Sequence, residues 1–292
     1  MSRLFCFGLG YSAAVLARRL ALQSWSITGT ATNSGKAEAL RRIGYEMFVF
    51  DGMTPNGAIG DALKSSSHVL LSIPPDANGD PALRHYGDAI AASPSVKWIG
   101  YFSSVAVYGD SGGAWVDEES PPQPRSERGR RRLDAEHTWR EVAEQGGKAL
   151  VLFRLPGIYG PGRSAIDQLR AGTARRIAKP GQVTNRVHVE DIATAVEAAL
   201  RFSNGARVYN VTDDMPAPPQ DVTAYGAKLL GVPCPPASDL DDAKVSPMAR
   251  SFYAENKKVS NARMKAELGV TLAYPTYVEG LKSIAGTDTP AF

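Results

Sequence analysis

The stretch Leu4-Phe5-Cys6-Phe7-Gly8-Leu9-Gly10-Tyr11-Ser12-Ala13 is a short apolar run that breaks into glycines and then into a helical pattern. It reads as strand, tight turn, helix. In such a turn Gly8 reverses the chain, Gly10 lets a backbone approach a pyrophosphate, and the small Ala13 lets helix and strand pack closely. The helix that begins at Tyr11-Ser12 offers unpaired N–H groups and a positive dipole end to phosphates. Phe5 and Phe7 suit one face of a buried first strand, and Ala13, Ala14, Leu16, Ala17, Leu20 and Ala21 form a broad apolar helix face. A plain turn before a helix would carry the same spacing, so the rest of the chain has to supply the context. Leu4 lies so near Met1 that no leader is expected.

A chain of 292 residues has room for one large α/β domain or two smaller ones. With 43% hydrophobic and 22% charged residues it has the composition of an ordinary globule. The net charge of +3, from 33 basic and 30 acidic side chains, is too balanced to make nucleic acid or an anionic membrane the main partner. No apolar run reaches transmembrane length, and a cytoplasmic location is expected. Cys6 and Cys234 have neither metal-ligand spacing nor a CxxC arrangement, so no metal is expected.

Further strand-like runs follow at residues 25–31, 47–50, 69–73, 98–102 and 149–153, with helical or linking stretches between them, one of which begins at Ser34. This alternation predicts a doubly wound parallel α/β sheet with helices on both faces. Beyond it the composition changes. Pro216, Pro218, Pro219, Pro233, Pro235, Pro236 and Pro247 break the chain into loops and short helices, one stopped by Gly231 and one capped by Ser260 or Asn261 and stopped by Gly269. The expected organisation is a dinucleotide-binding domain over residues 1–160, to which 187–212 returns, and a mostly smaller substrate lobe over 161–292.

Five blocks in order carry a resemblance. They are Gly8-Leu9-Gly10, Asp51-Gly52, Phe102-Ser103-Ser104-Val105-Ala106-Val107-Tyr108-Gly109, Arg154-Leu155-Pro156-Gly157-Ile158-Tyr159-Gly160-Pro161-Gly162 and Asn185-Arg186-Val187-His188-Val189-Glu190-Asp191-Ile192. Together they resemble the extended short-chain dehydrogenase/reductases, the NAD-dependent epimerase/dehydratase family, over nearly the whole chain. The resemblance implies a Rossmann-type sheet with Asp51 by the adenine and Ser72, Ile73 and Pro74 along the cofactor. It implies Ser103 and Ser104 on the cleft side, Ser104 at the catalytic serine position, and Pro156, Gly157 and Ile158 by the nicotinamide. Ordinary turn roles are the alternatives for Asp51 and Ser104.

The departure from the family pattern matters more. Members that oxidise a hydroxyl use a Tyr-x-x-x-Lys pair, the lysine lowering the tyrosine pKa so that a phenolate takes the proton. Here Arg128 and Arg132 fall at those two positions. Arginine stays protonated in proteins and cannot act as a general base at neutral pH. The two side chains, one helical turn apart, either clamp an anionic group or face solvent. Acidic Asp117-Glu118-Glu119 ahead of the arginines, and the lack of interleaved aromatics, argue against a nucleic-acid surface. His188 is read as a hydrogen-bonded structural histidine with an acid/base or substrate role as the alternative, and Arg186 as either an anion ligand or a surface arginine.

After the second strand, Thr30-Ala31-Thr32-Asn33-Ser34-Gly35-Lys36 holds no carboxylate to accept from a ribose 2′-OH and one cation. NADP is therefore expected over NAD, with Asn33, Ser34 and Lys36 near the 2′-phosphate. The expected activity is that of an atypical NAD(P)-dependent oxidoreductase or epimerase/dehydratase acting on a polar, sugar-nucleotide-like small molecule. A non-catalytic NAD(P)-binding sensor is the alternative. The resemblance also implies a homodimer through the helices after strands four and five, where the arginine-rich stretch repels its copy unless Asp134, Glu136 and Glu141 offset it.

Overall fold

The computed structural model describes residues 2–240, 250 and 253–286, so Pro247 lies outside the described residues. The chain begins with β1 (Arg3–Phe7), α1 (Tyr11–Leu22), β2 (Ser26–Ala31), α2 (Ser34–Arg42), β3 (Glu46–Val49), α3 (Gly57–Lys64), β4 (His68–Leu71), α4 (Pro81–Ala92) and β5 (Trp98–Ser104). A short β6 (Trp115–Val116), the long α5 (Glu127–Gln145), β7 (Ala149–Leu155), β8 (Gly157–Tyr159), α6 (Ala165–Arg170), β9 (Arg176–Ala178) and β10 (Arg186–His188) come next. Then follow α7 (Val189–Ala199), β11 (Ala206–Asn210), α8 (Pro219–Leu230), β12 (Ala237–Asp239), β13 (Lys258–Val259) and helices over Ala262–Leu268 and Tyr277–Ala285.

Seven strands form one sheet in the order β11-β7-β5-β4-β1-β2-β3. It is the doubly wound, Rossmann-type parallel sheet expected from the alternation. The chain lays down β1, β2 and β3 in one direction and then crosses back to place β4 on the other side of β1, with β1–β2, β2–β3, β1–β4 and β4–β5 all parallel. That reversal between β1 and β4 is the place where a doubly wound sheet opens a crevice beyond its strand ends. One face of the sheet is packed by Phe5, Phe7, Val69, Leu71, Tyr101, Leu150 and Leu152 with Tyr86 and Trp139 from the helices. Helix α1 buries Ala13, Leu16, Ala17 and Leu20.

The chain divides into two compact units. The first comprises Met1–Ser104, Glu127–Arg154 and Ile192–Tyr209, and the second Val105–Ser126, Leu155–Asp191 and Asn210–Phe292. Within the second, β8 pairs with β10, β9 with β12 and β6 with β13, all parallel. Tyr159, Ile166, Leu281 and Ile284 make a small core there.

Two sequence expectations shift. Strand β4 stops at Leu71. Of the two expected caps, Ser260 Oγ accepts from Ala262 N–H at 3.3 Å, while Asn261 stands at the N-cap of the helix over Ala262–Leu268 without a side-chain capping bond. Its amide instead donates to the Thr212 carbonyl and Asp214 Oδ1. Gly231 and Gly269 do end their helices, both in the left-handed conformation that glycine adopts without strain.

Candidate functional site

The carboxyl ends of β1 to β5 gather most of the singled-out residues along one edge of the first unit. Gly8 leaves β1 at φ +83°. Its N–H donates to Thr30 Oγ1 at 2.8 Å, and Leu9 N–H donates to the Thr30 carbonyl at 2.8 Å, so β2 fixes the turn. A Cβ at Gly8 would meet Ile73 Cγ1 at 2.8 Å and Ile73 N at 3.3 Å. At Gly10 it would find only the Gly8 carbonyl, at 3.8 Å. The first glycine is therefore required by packing. The second leaves an open cradle.

Helices α2, α3 and α4 are each closed at the start by a side chain, Asn33, Asn56 and Asp80 respectively. Helix α1 enters from Gly10 with no side-chain cap. Its first N–H groups, from Tyr11 onward, lie over the cradle and suit an anion. The residues present fit a dinucleotide pyrophosphate at this point.

Beyond β2, Thr32 to Lys36 are all exposed. Asn33 Oδ1 accepts from Lys36 N–H at 2.9 Å, which ties the asparagine to the start of α2. Asp51 is exposed and its Oδ1 accepts from Met53 N–H at 2.8 Å in a local turn. Ser72 N–H continues the ladder to the Phe7 carbonyl, Ile73 packs under Gly8, and Pro74 is exposed.

At the end of β5 the two serines differ. Ser103 is buried and donates to Glu136 Oε1 at 2.5 Å, whereas Ser104 is half-buried. Arg128 is exposed on the first turn of α5. Arg132 is buried. Its Nη1 donates to the Phe102 carbonyl at 2.5 Å and to Tyr101 Oη at 3.1 Å, and the guanidinium lies 5.5 Å from the centre of the Tyr101 ring. Neither alternative foreseen for the pair covers Arg132, which faces inward onto β5. Burial pushes the Tyr101 phenol far above its ordinary range, so it offers no replacement base.

Pro156, Gly157, Ile158, Arg186 and His188 belong to the second unit, where β8 and β10 run side by side. Arg186 is buried and spends its guanidinium on the Met215 and Ala217 carbonyls and Thr184 Oγ1. His188 is stacked against Tyr274 and edge-on to Tyr159, with ring centres 3.8 and 5.2 Å away. Its Nδ1 accepts from Glu190 N–H, and burial lowers its pKa to about 4, so the ring is neutral. Tyr108 Oη, on the chain just after β5, donates to Asn210 Oδ1 within the second unit.

Sequence reading missed Glu136, Arg154 and Asp213. Asp213 lies just after β11, with Oδ2 buried and without a hydrogen-bond partner. Burial raises its pKa to about 7 despite nearby Arg186, and Asp214 and Asp191 add to the rise. Because the folded value lies above the ordinary 3.8, Asp213 contributes stability fully below that pH and loses it as pH rises through about 7. Asp213→Asn is therefore expected to gain on the parent protein by on the order of 3 kcal/mol between pH 4 and 8. Urea midpoints measured across that range check it, and a difference constant with pH would contradict it.

Among the described residues no group of three or more His, Cys, Asp or Glu side chains is placed to hold a metal ion, and no helix is long and apolar enough to cross a membrane.

A family model for the NAD dependent epimerase/dehydratase family matches residues 88–212, from α4 through β11. Over that span the chain is similar to the NAD-dependent epimerase/dehydratase family. The chain is 28% identical over 288 residues to Protein YeeZ of Escherichia coli strain K12, covering 94% of this chain and 97% of that one. A conserved protein of unknown function from Silicibacter pomeroyi DSS is 50% identical and superposes with a TM-score of 0.88, over 97% and 98% of the two chains. The dTDP-glucose 4,6-dehydratase of Bacillus anthracis, solved in complex with NAD, shares the fold at 15% identity, with a TM-score of 0.78 over 98% and 96% of the chains.

Proposed function

We propose that this protein binds a nicotinamide dinucleotide at the carboxyl edge of its large sheet and acts on a polar, sugar-nucleotide-like substrate without a Tyr-x-x-x-Lys base. The observation that carries this reading is the uncapped start of α1 over Gly10, where an added Cβ would meet only the Gly8 carbonyl, in ordinary contact at 3.8 Å. Gly8, Gly10, Tyr11 and Ser12 would hold the pyrophosphate, with Ser72, Ile73 and Pro74 along the cofactor and Asp51 toward the adenine. Ser104 would approach the nicotinamide side from the end of β5. When bound, the cofactor supplies hydride transfer. Solved relatives in fold include MoeE5 with UDP-glucose and NAD and a Bacillus cereus UDP-glucuronic acid 4-epimerase with UDP-glucuronic acid and NAD, which supports the substrate class.

Between the two cofactors, NADP is the better match. Exposed Asn33, Ser34 and Lys36 follow β2, and no carboxylate stands there to repel a 2′-phosphate. Fluorescence titration with NADPH and NADH side by side is expected to give tighter NADPH binding by about tenfold, some 1.4 kcal/mol. Tighter NADH binding would reverse the assignment.

A second reading, a cofactor-binding sensor without turnover, is favoured by the inward-facing Arg132 and the buried Tyr101 phenol. Incubation with each cofactor and a panel of UDP- and dTDP-sugars, followed by nicotinamide absorbance and product mass, separates the two readings. Turnover supports the enzyme. Cofactor binding with no product from any sugar nucleotide supports the sensor.

A further inference from the structure

Helix α5 presents a polar stripe to the sheet in an otherwise apolar setting. Arg132, Glu136 and Trp139, spaced by four and three residues, lie on one helix face. Arg132 grips Tyr101 Oη and the Phe102 carbonyl, and Glu136 accepts from Ser103 Oγ at 2.5 Å. Trp139 Nε1 donates to Asp80 Oδ2, the residue that caps α4. Three consecutive residues of β5, 101 to 103, are thus tied to α5, and the next residue is Ser104.

We infer that Arg132 is a positioning residue that, with Glu136, fixes the direction in which Ser104 leaves the sheet. The inference rests on the reading that Ser104 faces the nicotinamide of a bound cofactor. Arginine suits this task because Nη1 reaches a carbonyl and a phenol together while the planar cation lies over the Tyr101 ring. A lysine has a single point of charge on a flexible stem and cannot reproduce that geometry. Arg132 Nε is buried without an acceptor, so the two Nη1 bonds set the orientation of the group. The phenol serves as an acceptor here. It remains protonated because burial raises its pKa.

The test uses the full-length protein with NADPH as the probe. In Arg132→Met, amide hydrogen exchange at residues 102–105 is expected to speed up by about tenfold while α1 and β1 keep their protection. Bound NADPH should retain its affinity within about threefold, since the glycine turn is untouched. Its nicotinamide emission should change as it does in Ser104→Ala, and adding Arg132→Met to Ser104→Ala should change it no further. Arg132→Lys, the variant more certain to fold, should fall between parent and Met in exchange and emission. Lost NADPH affinity with unchanged exchange would make Arg132 a ligand contact and overturn the inference. So would faster exchange throughout the sheet with additive emission changes, or no change in either measurement. Failure of the parent protein to bind NADPH would reject the cofactor reading and with it the proposed purpose of Ser104. Exchange in the free protein would still show whether Arg132 holds the end of β5, so the two failures are distinguishable.

Discussion

Gly10→Val is expected to abolish dinucleotide binding, lowering NADPH affinity by at least about a hundredfold, roughly 3 kcal/mol, while leaving the fold intact. The side chain would project into the cradle beneath the open end of α1, and the nearest protein atom to a Cβ there is the Gly8 carbonyl at 3.8 Å. The Cβ itself meets the protein only in ordinary contact, so the penalty is expected to fall on the ligand. Gly8→Ala should behave in the opposite way. At φ +83° an L side chain is strained, and its Cβ would press on Ile73 at 2.8 Å. Strain and overpacking together cost about 2–5 kcal/mol of stability. Calorimetric titration with NADPH and urea unfolding of both variants separate the two effects. Unchanged affinity in a folded Gly10→Val protein would reduce the turn to a structural element.

The second large effect is expected at Glu136. This carboxylate is fully buried and receives Arg154 through Nε at 3.0 Å and Nη2 at 2.7 Å, in addition to Ser103. Arg154 is itself buried at the end of β7. Glu136→Ala would remove the carboxylate that Arg154 Nε and Nη2 reach in a low-dielectric setting and is expected to cost about 3–5 kcal/mol. Glu136→Gln keeps the shape and one acceptor, but turns one oxygen into a donor facing a cation, and should recover only part of the loss. Chemical denaturation of both variants measures this. A loss below about 1 kcal/mol for Glu136→Ala would show that the pair is worth no more than a surface ion pair.

Why the glycine turn was legible and the buried ionic group was not follows from how each is written in the chain. Gly8, Gly10 and Ala13 carry a spacing with a steric meaning, and the Ser34 to Arg42 helix carries its own start and stop. The run 149–155 is apolar except for Arg154, which sequence alone leaves without a partner. In α5 the inner face mixes Arg132 and Glu136 with Ala135 and Trp139, so the apolar periodicity that would reveal a buried face is diluted. The partner of Glu136 lies eighteen residues away on another element, and only the fold brings them together. The partners of Asn261 escaped for the same reason, since Thr212 and Asp214 lie far from it in sequence.

Arg132 also constrains how this chain can change. Replacing Arg128 by Tyr and Arg132 by Lys would write the family's usual pair back into the sequence. A lysine that stayed on the Phe102 carbonyl would be unavailable to a tyrosine, and one that turned away would leave a buried carbonyl unsatisfied at about 1–3 kcal/mol. Either intermediate is less fit than the present protein, in stability or in chemistry. The hold of Arg132 on the Phe102 carbonyl thus couples any tyrosine–lysine pair written at positions 128 and 132 to the packing beneath β5.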